Sequence, residues 1–312
     1  MKVIQKNENI VIKGLRDFNL GQTLECGQCF RFNKIRENEY ILVAQRQILH
    51  IEQKNDNLIL YHTSLEEFEL IWRNYFDLDR DYGLIKKSLL KKDKILEEAI
   101  QRKEGVRILN QDFFEILITF IISQNKQIPH IKQIVETISI RYGEKIEEIN
   151  GKKYYSFPTV ERLARVKEEE FRECKAGFRA PYLVDACKAV YEGRVTKEKL
   201  AGLSTEKVLE NLLTIKGVGE KVANCVMLFG LSRSESFPVD VWIKRVMENL
   251  YFHKDTKKEI IKEFAKEHFG EYAGFAQQYL FYYARDNKIK ETRTGFSRPG
   301  TGFLRENPVP KK

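Results

Sequence analysis

Apolar and polar positions alternate in short runs over residues 1 to about 63 and then change period. Runs such as YILVAQ and NLILYH, rich in β-branched and aromatic residues and separated by polar turns like KNDN, predict an antiparallel sheet. From about residue 65 the spacing becomes helical, through FELIWRNYF, KILEEAIQ and DFFEILITFIISQ, and it continues to about 285 without a long low-complexity linker. The pattern predicts an α+β chain: an N-terminal antiparallel β-sheet domain with flanking helices over 1–105, then a mainly α-helical body over 106–285. Residues 286–312 are basic and rich in Gly, Pro, Thr and Arg without apolar periodicity, and are expected to form a flexible tail.

Within the helical part, residues 206–230 read as a hairpin of two helices. Leu212, Leu213 and Ile215 end one apolar helix, and Val222, Val226 and Phe229 mark the apolar face of another. Lys216, Gly217, Val218 and Gly219 lie between them. Two glycines permit positive φ and close approach, and the start of the second helix leaves amide groups pointing outward, which suits a phosphate. A plain turn between two packed helices would look the same. Lys221 stands at the beginning of the second helix, where the helix dipole disfavours its protonated form and makes it a candidate nucleophile. In a chain with 54 Lys and Arg residues, the default for any one of them is a solvated surface position. Asp240 follows Pro238 and precedes the periodic run Val241, Ile243, Val246, Met247, Leu250. It reads as a helix N-cap, and a carboxylate so held is also a rigid negative charge able to stabilise a cationic sugar.

The framed segment GVGEKVAN resembles the helix-hairpin-helix motif, and PVDV downstream is similar to the extended motif of the DNA glycosylase superfamily that carries it. Asp240 stands 19 residues after Lys221, close to the spacing in that superfamily. LECGQCFRF, SQNKQIPHI, AGFRAPY and YAGFAQQYLFYYA narrow the resemblance to the 8-oxoguanine DNA glycosylase/AP lyase family, as a bacterial-type member. The resemblance implies Lys221 and Asp240 as catalytic residues, with Gly27, Cys225, Pro238, Gln277 and Phe281 around the flipped base. Gly27 would offer its carbonyl to N7, which is an acceptor in guanine and an N–H in the oxidised base, a difference worth about 1–3 kcal/mol in a dry pocket. Gln277 and Phe281 are four residues apart and share a helix face, so an amide can read the base edge while a ring stacks on it. Read alone, Phe281 fits core packing and Cys225 a small buried apolar residue. Asn125, His130, Phe178 and Arg179 would contact DNA and the orphaned partner base, and Gly217 and Gly219 its backbone. His130, Phe178 and Trp242 stand where better-known members carry Arg, Tyr and His. A neutral imidazole cannot make an arginine's bidentate contacts, so a weaker preference for cytosine opposite the lesion is expected.

Composition supports this reading without choosing it. A net charge of +9 favours a polyanionic partner, here damaged double-stranded DNA, as do many other basic proteins. No apolar run is long enough to span a membrane and the N-terminus lacks a secretory signal, so an intracellular, cytoplasmic or nucleoid monomer is expected. Five cysteines, an odd number, argue against a disulfide framework, and Cys26 and Cys29 form a lone C-x-x-C that reads as two free thiols. No cysteine follows Cys225, so the iron–sulfur cluster of some relatives is not expected, nor any other cofactor. The five histidines show no ligand spacing for a catalytic metal; the resemblance leaves room for a monovalent cation at the carbonyls of Leu213, Ile215 and Val218. The expected function is removal of 8-oxoguanine with β-elimination at the abasic site. The alternatives are a glycosylase for another damaged purine, a non-catalytic DNA-binding protein built on the same hairpin, and a helical scaffold with no DNA role.

Overall fold

The computed structural model describes residues 1–287, and the tail expected from 286 onward lies, beyond Asn287, outside the described residues. Six strands, β1 (Lys2–Lys6), β2 (Asn9–Lys13), β3 (Phe32–Arg36), β4 (Glu39–Ala44), β5 (Gln47–Lys54) and β6 (Asn57–Tyr61), form one antiparallel sheet in the order β1-β2-β6-β5-β4-β3. Asn7, Asn38 and Asn55, each with φ between 51° and 60°, make the tight turns of three hairpins, because a short polar side chain tolerates the left-handed region. Alternate residues Ile10 and Ile12 of β2 and Leu58 and Leu60 of β6 point into a core with Leu20, Leu24, Phe68, Trp72 and Phe76. The other face of β4 is also covered. Ile41 and Val43 pack on Tyr154 from a second hairpin, β7 (Lys145–Ile149) and β8 (Lys152–Tyr155), which interrupts the helical spacing read from the sequence. Its turn is Asn150-Gly151, both at positive φ.

The helical body begins earlier than the sheet's last residues suggest. Tyr82, Ile85, Leu89, Leu96 and Ile100, from helices Tyr82–Lys92 and Leu96–Arg102, share the large core of the later helices rather than that of the sheet. Helix Phe113–Ser123, buried on almost every side, is the axis of this core, with helix Glu220–Gly230 packed along it. The sheet and the body are stitched together by two polar side chains. Arg107, buried, donates to the carbonyls of Arg16 (2.9 Å), Asp17 (3.1 Å), Asp77 (2.6 Å) and Arg80 (3.2 Å) and lies 4.3 Å from the Tyr82 ring centre. Gln28, wholly buried, donates to the carbonyls of Thr23 (2.9 Å) and Arg107 (2.7 Å) and accepts from Leu109 N (2.9 Å). Arg107→Met fills similar space but strands four carbonyls away from water. It is expected to lower the unfolding free energy by about 3 kcal/mol or more, measured by urea denaturation; a change under about 1 kcal/mol would show that those carbonyls find water instead.

Candidate active site

The hairpin consists of helices Thr205–Leu213 and Glu220–Gly230 joined through Thr214–Gly219. Gly217 has φ +79°, and a Cβ there would stand 2.2 Å from Tyr182 Cγ, so the Tyr182 ring presses directly on the turn. Gln124 Nε2 donates to Gly217 O at 3.1 Å and Asp185 Oδ2 accepts from Lys216 N at 2.7 Å. Gly219 departs from the expectation that both glycines use positive φ. It is extended, at φ −92° and ψ 174°, with nothing within 4 Å of its Cβ direction. What it provides is an open face. No side chain caps the second helix, and its first amides have no intrahelical acceptor.

Lys221, the second residue of that helix, is half-buried. Its Nζ lies 5.0 Å from the Phe120 ring centre and 3.4 Å from Ser123 Oγ, which itself donates to Phe120 O at 2.8 Å. One turn on, Cys225 is buried, and burial pushes its thiol up to about 11, against a smaller downward pull from Lys221 and with an upward push from Asp240. That places the amine and the carboxylate each within electrostatic reach of the thiol. At neutral pH the thiol is uncharged. Asp240 caps helix Val241–Met247, its Oδ1 accepting from Ile243 N at 2.8 Å, and among the described residues its Oδ2 has no hydrogen-bond partner. Buried Phe237, Pro238 and Val239 hold the approach to the cap rigid.

A second group comes from the N-terminal segment and the last helix. Gly27 has φ +90°, and a Cβ there would stand 3.4 Å from Phe281 Cε1 and 4.0 Å from Ile128 Cδ1. The positive φ requires glycine, and it leaves a bare backbone opposite the ring. Next to it, Gln28 is anchored as described, and Gln111 Nε2 donates to Gln28 O at 2.8 Å, so the Gly27 peptide hangs from a fixed support. Gln278 Nε2 reaches Cys26 Sγ at 3.4 Å from the other side. Gln277, on the same helix as Phe281, is buried, and its Oε1 has no hydrogen-bond partner among the described residues. Helix Val241–Met247 packs against this last helix, Ala273–Asn287, which ties the Asp240 cap to the Gln277 and Phe281 face.

Residues 10–117 match the profile of the 8-oxoguanine DNA glycosylase N-terminal domain, and residues 118–269 that of the HhH-GPD superfamily of base excision DNA repair proteins. A probable N-glycosylase/DNA lyase of Methanothermobacter thermautotrophicus is 30% identical over 285 residues, covering 85% of each chain. The chain belongs to the 8-oxoguanine DNA glycosylase family. Among solved structures, the Clostridium acetobutylicum 8-oxoguanine glycosylase/lyase in complex with double-stranded DNA containing cytosine opposite 8-oxoguanine is 42% identical, with a TM-score of 0.89 over 93% of this chain and 99% of that one. MBOgg1 in complex with a low-affinity DNA ligand is 44% identical, with a TM-score of 0.89 over 92% of this chain and 99% of that one.

For a chain of the 8-oxoguanine DNA glycosylase family, the residues expected to meet DNA divide into two kinds. Asn125, at φ +50°, and His130 are exposed, and Phe178 is 51% exposed with its ring against Tyr182. Arg179 is not presented to a partner. It is only 2% exposed, and its guanidinium donates to Gln124 O and, at 3.3 Å, to Ala176 O, 4.1 Å from the Phe178 ring. Its role is therefore internal: it fixes the carbonyl just before Asn125. Sequence reasoning missed Gln28, Ser123 and Gln124, because a buried glutamine and a helix-end serine carry no local signal; only contacts across the chain reveal them.

The five cysteines are free and buried, and Cys26 and Cys29 donate to the carbonyls of Thr23 (3.2 Å) and Leu24 (3.5 Å). Burial raises both thiols, Cys26 to about 11. Among the described residues no group of three or more His, Cys, Asp or Glu could hold a metal ion. Of the hairpin carbonyls considered for a monovalent cation, that of Ile215 accepts from Val218 N at 3.0 Å. No helix among the described residues is long and apolar enough to cross a membrane.

The two hairpin glycines should respond differently to a methyl group. Gly217→Ala meets both a strained φ and the Tyr182 ring and is expected to cost about 2 kcal/mol or more, whereas Gly219→Ala should change stability by no more than about 1 kcal/mol, because the loss of a favourable N-cap residue opposes the gain from a stiffer unfolded chain. Equal effects in thermal unfolding would contradict this account of the turn.

Proposed function

We propose that the protein is a monomeric glycosylase and AP lyase that acts inside the cell on double-stranded DNA, extrudes 8-oxoguanine, removes it and nicks the strand by β-elimination. The observation that carries the substrate is the buried, unpartnered Oε1 of Gln277 one helical turn from Phe281, whose ring faces the Gly27 segment. A buried acceptor without a donor is costly, and a guanine-type edge supplies N1–H and N2–H where adenine has a bare N1. Phe281 gives the flipped base a stacking face, the neutral Cys225 thiol lines the opposite side, and the Gly27 carbonyl accepts from the N7–H that only the oxidised base has.

The chemistry draws on Lys221 and Asp240. Lys221, once deprotonated, attacks C1′, the bond from C1′ to N9 breaks, and the base leaves with a proton. Asp240, held by the Ile243 amide, faces the positive charge that develops on the sugar. Ring opening gives an imine between Nζ and C1′, loss of a C2′ proton expels the 3′ phosphate, and water then returns the free amine. The Phe120 ring and Ser123 hydroxyl locate the amine beforehand. This sequence of steps needs neither an iron–sulfur cluster nor another cofactor. The open face at Gly219 and the uncapped helix amides suit a DNA phosphate.

Incubation with an 8-oxoguanine duplex and borohydride is expected to yield a covalent protein–DNA adduct, with Lys221→Gln abolishing the adduct and slowing base release by at least about 10³-fold. Base release by wild type without any adduct would instead assign the attack to water. Because His130 lacks the guanidinium fork, excision rates opposite the four bases should spread by no more than about tenfold, and His130→Arg should raise the preference for cytosine by about tenfold. A strict cytosine requirement in wild type would refute the role given to His130.

A further inference from the structure

One cationic side chain beside the base slot has no task in this mechanism. Gln277, Phe281 and Arg285 follow one another at four-residue spacing on helix Ala273–Asn287, so they form a stripe along one face. Arg285 Nη1 lies 3.9 Å from the point where a Gly27 Cβ would stand, alongside the Phe281 ring edge at 3.4 Å. Backbone, ring and guanidinium therefore meet at one place. The guanidinium carbon lies 4.5 Å from the Tyr282 ring centre, and among the described residues Arg285 has no carboxylate or hydrogen-bond partner. An arginine lying over a ring spends its flat face and keeps its N–H edge free to donate.

We propose that Arg285 donates a hydrogen bond to O8 of the flipped base and is a second lesion-specific contact beside Gly27. The inference rests on the substrate reading above. A guanidinium can only donate, so it seeks an acceptor. With the Gly27 carbonyl facing N7–H and Gln277 at the Watson–Crick edge, which carries O6, the acceptor left flanking N7 is O8. Guanine has no oxygen there. A carbonyl alone discriminates by repelling guanine N7, whereas Arg285 discriminates by attracting the lesion, and the two act on adjacent atoms of the same ring edge. The competing use of such a cation is a backbone phosphate, which would strengthen binding to every duplex alike.

The test uses the full chain carrying Lys221→Gln, so that nothing is cleaved, and measures affinity by fluorescence anisotropy at one fixed salt concentration for duplexes that differ only in 8-oxoguanine or guanine opposite cytosine. Adding Arg285→Met is expected to weaken binding to the 8-oxoguanine duplex by about tenfold or more, as for loss of a charge-assisted hydrogen bond, and to leave the guanine duplex within about twofold. Adding Arg285→Lys, which keeps the charge, guards against a folding defect and should recover part of the preference, with unchanged thermal unfolding. Equal weakening on both duplexes would assign Arg285 to a phosphate, and no weakening would remove it from the site; either overturns the proposal. Should the Lys221→Gln protein with Arg285 intact show no preference for the lesion, the substrate reading itself fails, a result separate from those two.

Discussion

The buried amide of Gln28 is the joint on which the base slot depends. Its side chain is satisfied by Thr23, Arg107 and Leu109, and its own carbonyl by Gln111, so the residue right after Gly27 is fixed to both the sheet domain and the helical body. Gly27 needs a positive φ and has no side chain with which to hold itself in place. A backbone carbonyl can tell an N–H from a lone pair only if it cannot swing away from the repulsion, and rigidity of this kind comes from neighbours that are fully hydrogen-bonded in a dry core. The same segment is tied further by Gln278 to Cys26 and by Arg31 to the Tyr155 carbonyl of β8. The small second hairpin therefore braces the segment that follows Gly27.

The proposed nucleophile obeys a different rule. Lys221 is held by weak partners, an aromatic face and one long contact to a serine hydroxyl, and among the described residues no carboxylate pairs with it directly. A close ion pair would favour the protonated amine, which cannot attack carbon. Asp240 is near enough to be felt at Cys225 yet is committed through one oxygen to a helix cap. Its charge is thus available to a cationic sugar without being spent on the lysine. Cys225, kept neutral by burial, contributes shape and polarisability rather than charge.

Much of this was legible in the sequence, for identifiable reasons. Local rules fixed the hairpin, because Gly-x-Gly between apolar helices and a Pro-x-Asp helix start are short-range patterns; likewise the KNDN turn of the sheet, with Asn55 at φ 51°. What escaped was non-local. The β7–β8 hairpin carries Asn150-Gly151, a strong turn signal, but its flanks KIEEI and KKYY are polar enough to hide among helical charges. Arg179 was expected to face the partner base on the resemblance of AGFRAPY to the family; its burial depends on a carbonyl 55 residues away at Gln124. Gly219 looked like a second strained glycine, and its backbone is extended. Helices Tyr82–Lys92 and Leu96–Arg102 follow the sheet in the chain but pack with the body, a choice that no local periodicity encodes.

Burial separates the two groups of residues proposed to recognise the substrate. Gln277 and Cys225 are buried, Gly27 hangs from the buried Gln28, and changing any of them disturbs a packed core as well as a contact. Asn125, His130 and Phe178 project into solvent from a ledge that Arg179 and Gln124 hold from beneath. His130 and Phe178 can be exchanged at little cost in stability, since substitutions outside the core typically change it by under about 0.5 kcal/mol, whereas Asn125 is held to a short polar side chain by its φ of 50°. On the proposed reading, lesion identity is thus built into the part of the molecule least free to change, while the response to the opposite base rests on exposed side chains.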